Sequence, residues 1–250
     1  MQENKIEVMA VSQLLNMKFF VPSYQRGYRW TEQEVRDLLE DINDFGKKEK
    51  KRGEFYCLQP LVVRAMTEQE KQANELEVGD TWYEVIDGQQ RLTTIYLILS
   101  TMKALIEAMN LPSNLYELRY QREANVSTNF LKQITKSNEE FCEKVDYYHA
   151  SNALSTIKQW FQETKANKWC FANTLLASSC DEDEPTIDQS NNVRFIWYES
   201  VDEDPIKVFT RLNIGKIGLT NAELIKALLL NSSNFKKEDP SALKLRQQEI

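Results

Sequence analysis

With 250 residues, 42% hydrophobic and 10% aromatic, the chain can bury a sizeable core as one large domain or two smaller ones, which excludes global disorder. No apolar run approaches the ~20 residues of a membrane span and MQENKIEV has no signal-peptide character, so a cytoplasmic location is expected. A net charge of −7 excludes a broad electrostatic grip on DNA and confines any nucleic-acid contact to a local patch.

In chain order, Ser12 to Asn16 suggests a short helical turn, and Phe19 to Val21 a strand ended by Pro22. In the next stretch, PSYQRGYRW, Tyr24, Tyr28 and Trp30 alternate with Gln25, Arg26 and Arg29, in a segment that Pro22 and Gly27 keep irregular. Such a mixture suits stacking on a base and pairing with phosphate, or equally a loop pinned to the core by its aromatics. Thr31-Glu-Gln-Glu34 is a capping box for a helix burying Val35, Leu38, Leu39, Ile42 and Phe45, with Gly46 as its expected end. The basic run Lys47 to Arg52 reads as a solvated loop. Phe55 to Leu58 and Leu61 to Arg64 are strand pieces broken at Pro60, followed by a polar connector, Thr67 to Asp80, and an antiparallel partner strand, Thr81 to Ile86.

The stretch Trp82 to Leu99 then changes period. From Leu92 the apolar residues Leu92, Ile95, Tyr96, Leu99, Met102 and Leu105 mark a helix with one buried face. The junction is Asp87-Gly88-Gln89-Gln90-Arg91. A helix start has unpartnered N–H groups and partial positive charge, so a Gly-containing turn there can hold an anion, and Arg91 adds a planar fork of donors. Asp87 can cap the helix, orient Arg91 or help hold a divalent cation. The plain alternative is an ordinary strand-to-helix turn.

Beyond Pro112, helices are expected over Ser127 to Thr135, Tyr147 to Glu163 and Lys168 to Ala177, and Asp181 to Asn192 is a loop by composition. Val193 to Glu199 reads as a strand covered on both faces. A helix from Ile206 to Leu212 leads into a loop with Arg211, Asn213, Gly215 and Lys216, before Thr220 and Glu223 cap another helix. Ser241 to Ile250 begins a helix without an end, as if the chain continued. The cysteines, Cys57, Cys142, Cys170 and Cys180, are too scattered for a zinc site and are expected as buried free thiols. The lone histidine, His149, has no partner motif for nucleophilic or HNH-type chemistry.

Three stretches, VPSYQRGYRW, VIDGQQRLTTIYLIL and VFTRLNIGKIGLTNAELIKALLL, together resemble the N-terminal domain of GmrSD-type restriction proteins, a family with a ParB/sulfiredoxin-like core. The resemblance implies an α+β fold. Its expected divisions are a small mixed sheet with helices over 1–111, an α-helical subdomain over 112–190, and a strand and helices returning to the core over 191–250. It also implies NTP binding and hydrolysis in a regulatory, DNA-sensing module of modification-dependent restriction. The alternative is a non-catalytic nucleotide- or DNA-binding module. The family motifs carry over as Asp87, Gly88, Gln89, Gln90 and Arg91, as Tyr24, Gln25 and Arg26, and as Arg211 and Asn213. Asp87, Gln89, Gln90 and Arg91 are thereby the candidate catalytic residues. Gly88, Arg91, Gln25, Arg26, Thr93, Arg211 and Asn213 are the candidate phosphate ligands, and Tyr24, Tyr28, Arg29 and Trp30 the candidate DNA sensors. Asp87 is the candidate for Mg2+. The expected cofactors and partners are GTP, UTP or another NTP, Mg2+, locally contacted DNA and an HNH-type nuclease domain, with a homodimer compatible. There is no Walker A loop, and no cysteine where sulfiredoxins carry theirs.

Overall fold

The computed structural model describes residues 4–109, 115–121, 130–136, 145–176 and 190–201. The expected helices at 206–212, 220–230 and 241–250, with Arg211 and Asn213, lie outside these, as do Cys142 and Cys180. The described residues lie within one compact unit, Met1–Pro205. They form a mixed six-stranded sheet with helices, an α+β architecture.

The strands are β1 (Lys5–Ala10), β2 (Lys18–Val21), β3 (Tyr56–Ala65), β4 (Trp82–Asp87), β5 (Glu117–Tyr120) and β6 (Val193–Glu199). Their order is β1-β6-β3-β4-β2-β5. β3 and β4 form the expected antiparallel pair. β2 runs parallel to both β4 and β5, with Lys18 opposite Trp82 on one side and Glu117 on the other. The C-terminal ends of β4, β2 and β5 therefore lie at the same end of the sheet. β6 lies between β1 and β3, so the covered strand expected at 193–199 is an interior one. β1 and β5 are the edge strands, and β5 alternates polar and apolar residues, Glu117-Leu118-Arg119-Tyr120, over only four positions.

Two faces follow from the period of two. Phe19, Val21, Val85 and Leu118 join the main core, beneath the helices. Phe20 and Trp82 face the other way with Met66 and Leu76 in a second cluster.

The helices are α1 (Val11–Leu14), α2 (Glu32–Lys47), α3 (Glu68–Ala73), α4 (Gln89–Thr101), α5 (Lys103–Ala108), α6 (Phe130–Lys136), α7 (Val145–Glu163) and α8 (Lys168–Leu176). The Thr31 capping box opens α2 and buries the expected five residues. Gly46 does not end it. The helix runs on to Lys47, and Gly46 instead makes room for α8, because a Cβ there would stand 2.9 Å from Thr174 Oγ1.

The polar connector after β3 contains a helix of its own, α3, started by Thr67, whose side chain accepts from the Glu70 N–H. α4 departs furthest from a one-faced helix. Every residue from Leu92 to Leu99 is buried, Thr93 and Thr94 included, because α4 lies between the sheet and the packed helices α6 and α7. The segment 112–190 supplies α6, α7 and α8 and also β5, which extends the sheet beyond β2. Of the two described cysteines, both free, Cys170 is exposed and Cys57 half-buried, which corrects the expectation of buried thiols.

Candidate functional site

The site is built at the end of β4. Asp87 is the last strand residue and is partly exposed. Gly88, not Asp87, takes the N-cap position of α4, with φ +96°. A side chain there would be strained by that angle and would lie 3.0 Å from the Pro60 carbonyl oxygen and 3.2 Å from Leu61 Cα. Glycine at this position gives the N-cap of α4 no side chain of its own. Its first N–H groups, which have no intrahelical acceptor, face the turn with the positive end of the helix dipole.

The irregular loop 22–30 is held across this junction by the motif's own side chains. Gln89 Nε2 donates to the Arg26 carbonyl, and Gln90 Nε2 to that of Gly27 at 3.0 Å. Gln90 Oε1 in turn accepts from the Arg29 N–H at 2.8 Å. Gln25 is buried, and its amide donates to the Val85 carbonyl. Tyr28 is 0% exposed and shares a hydrogen bond of 2.9 Å with Thr94 Oγ1. Thr93, also buried, donates to the Gln89 carbonyl and bonds the Tyr120 hydroxyl at 2.6 Å. The two glutamines, expected to serve chemistry, thus spend their amides on loop backbone, and Thr93 and Tyr28 tie α4 to its neighbours. Because both ends of Gln90 are used, Gln90→Ala leaves a carbonyl and an N–H unpaired under the loop. It is expected to cost about 2–3 kcal/mol in urea unfolding and to speed hydrogen exchange of the Arg29 amide.

Arg91 reaches the opposite wall. Its Nη1 donates to Gln59 Oε1 at 2.6 Å and its Nη2 to the Pro60 carbonyl at 2.8 Å. There β3 carries an irregularity between Cys57 and Pro60, and Gln59 has φ +53°. The break read at Pro60 is thus a bulge in one continuous strand, and it gives Arg91 its acceptors. Burial pushes the Arg91 guanidinium below its ordinary range, while nearby Asp87 draws it back up. Its hydrogen-bond partners among the described residues are neutral. Among the buried polar atoms that lack a partner, two belong to this junction, Arg91 Nε and Gln89 Oε1.

Of the remaining candidates, Arg26 is exposed. Tyr24 is half-buried with its hydroxyl on Glu84. Arg29 Nη1 donates to the Tyr28 carbonyl, and Trp30 packs partly buried against the core. Tyr28 cannot stack on a base without leaving its pocket. Sequence reasoning did not find Gln59, Glu84 or Tyr120. The first was readable only as the residue before a strand-breaking proline, and the others gave no signal.

The motif-bearing loop and the junction, 61 residues apart in the Gln90 to Arg29 bond, therefore form a single unit. A family model described as GmrSD restriction endonuclease, N-terminal domain, matches residues 11–230. The chain belongs to this family. The match covers all three stretches on which the resemblance rested, and makes this GmrSD N-terminal domain a module of a restriction, and so a defence, protein. No curated protein matches the chain. Among the described residues, no helix of this GmrSD domain is long and apolar enough to cross a membrane, and no three His, Cys, Asp or Glu side chains gather as a metal site.

Proposed function

We propose that this GmrSD N-terminal domain binds a nucleoside triphosphate with its phosphates at the start of α4, and hydrolyses it to regulate DNA restriction. The observation that carries the reading is Arg91: a guanidinium whose hydrogen bonds go to neutral acceptors and whose buried Nε has no partner, beside a helix start whose N-cap is a glycine. A charged group held this way favours an incoming anion. Arg26 is the second cation of the site. The core is of the ParB/sulfiredoxin type in this reading.

Mg2+ characteristically takes one or two carboxylates and completes its shell with phosphate oxygens and water, so Asp87 alone is an adequate protein ligand. When bound, the ion neutralises charge on the phosphates. Asp87 would hold it, Arg91 and the α4 N–H groups would orient the phosphates, and loop 22–30 would limit access of water. DNA would meet the domain locally, at Arg26, Arg29 and Trp30.

A second reading, binding without turnover, is favoured by the hydrogen bonds from both glutamine Nε2 groups to loop backbone, which hold the two amides as parts of the scaffold. Arg91→Ala is expected to weaken Mg2+–GTP or Mg2+–UTP binding at least tenfold in a titration, about 1.4 kcal/mol. Unchanged affinity removes the phosphate role. Phosphate release, measured with and without DNA and Mg2+, separates turnover from binding alone.

A further inference from the structure

On the face of the sheet opposite the main helices, a buried ionic cluster touches the site loop from behind. Arg64, 7% exposed, donates from Nη2 to Glu84 Oε2 at 2.6 Å and to Glu70 Oε1 at 2.7 Å, and from Nη1 to Glu70 Oε2 at 3.2 Å. Glu84 is 6% exposed, and its other oxygen accepts from the Tyr24 hydroxyl at 3.1 Å. Glu70 is itself oriented by the Thr67 N–H and hydroxyl at 2.8 and 2.9 Å. Two carboxylates around one guanidinium are a poor way to gain stability, since apolar replacements of buried ion clusters are often neutral or better. What such a cluster supplies is a fixed geometry, here at one phenol.

Tyr24 lies two residues before Arg26, whose carbonyl is held by Gln89 from the helix side. The backbone carrying the Arg26 side chain is therefore pinned from both faces of the sheet. Burial first, and Glu84 second, push the Tyr24 phenol well above its ordinary range, so it remains a donor across the physiological range.

We propose that Tyr24, Glu84 and Arg64 form a latch that positions loop 22–30, and through it the backbone that carries the Arg26 side chain, against the start of α4. Its role in ligand binding rests on the phosphate reading above; its role in holding the loop does not. The residues are positioning residues, acting through Arg26.

The test uses the full chain and two readouts. In native-state trypsin digestion, cleavage after Arg26 is expected to run about fivefold faster in Tyr24→Phe and in Glu84→Gln, while cleavage after Lys158, within α7, keeps its wild-type rate. In calorimetry with Mg2+ and inorganic tripolyphosphate, Tyr24→Phe is expected to raise Kd about fivefold, and to have no effect in an Arg26→Ala background. Faster cleavage at Arg26 alone of the two sites supports the latch. An unchanged rate there, or an equal rise at Lys158, overturns it. A raised Kd that persists without Arg26 overturns the coupling to that side chain. If the wild type fails to bind tripolyphosphate, the phosphate reading falls, and the cleavage rates still decide the latch.

Discussion

Replacing Tyr28 by alanine is expected to destabilise the domain by roughly 3–5 kcal/mol, the usual cost of deleting a fully buried aromatic ring. The ring is 0% exposed and belongs to the main core. Its hydroxyl bonds Thr94, which also donates to the Gln90 carbonyl, so α4 keeps one of its own bonds when the phenol is lost. Tyr28→Phe should accordingly cost only about 1 kcal/mol. Urea unfolding followed by tryptophan fluorescence measures both. Binding of modified and plain DNA should be compared at a temperature where Tyr28→Ala remains folded. A variant of near-wild-type stability that no longer discriminates would reverse this view and make the ring a reader of DNA.

Gly88→Ala is the second large effect, expected at about 2–4 kcal/mol. The positive φ alone costs a residue with a Cβ roughly 1–2 kcal/mol. The new atom would also meet the Pro60 carbonyl and the Leu61 backbone at 3.0 to 3.2 Å, and backbone in a sheet moves less readily than the end of a flexible side chain. Any relief must displace the β3 bulge that supplies both acceptors of Arg91. Thermal unfolding should register the loss of stability. Far-UV circular dichroism below the transition should match the wild type. A Tm within 2 °C of wild type would mean that the turn has another conformation open to it.

Much of the fold was legible because its signals are local. The Thr31 box, the change of period at Asp87 to Arg91, the apolar spacing in α7 and the β-branched and aromatic runs of β4 and β6 each lie within a few residues, and the structure has elements there. The motifs were legible too: loop 22–30 and the Asp87 to Arg91 turn were singled out on residue type alone, and they meet. How they meet was not legible. Gln25, Gln89 and Gln90 carry the same amide whether it faces a ligand or a carbonyl, and only the path of the chain decides which.

The sequence by itself determined the class of the fold, the family, and the turn at which β4 passes into α4. The tertiary structure alone decided that β2 runs parallel to β4, that β5 exists at all, that α4 is buried on every side, and that Tyr28 faces inward. Each of those depends on pairing between segments tens of residues apart, such as the 66 between Tyr28 and Thr94. A local pattern records that a side chain is aromatic or polar. Which partner that side chain reaches is set by long-range packing, and it is this packing that has turned the glutamines into struts and left Arg91 facing neutral acceptors.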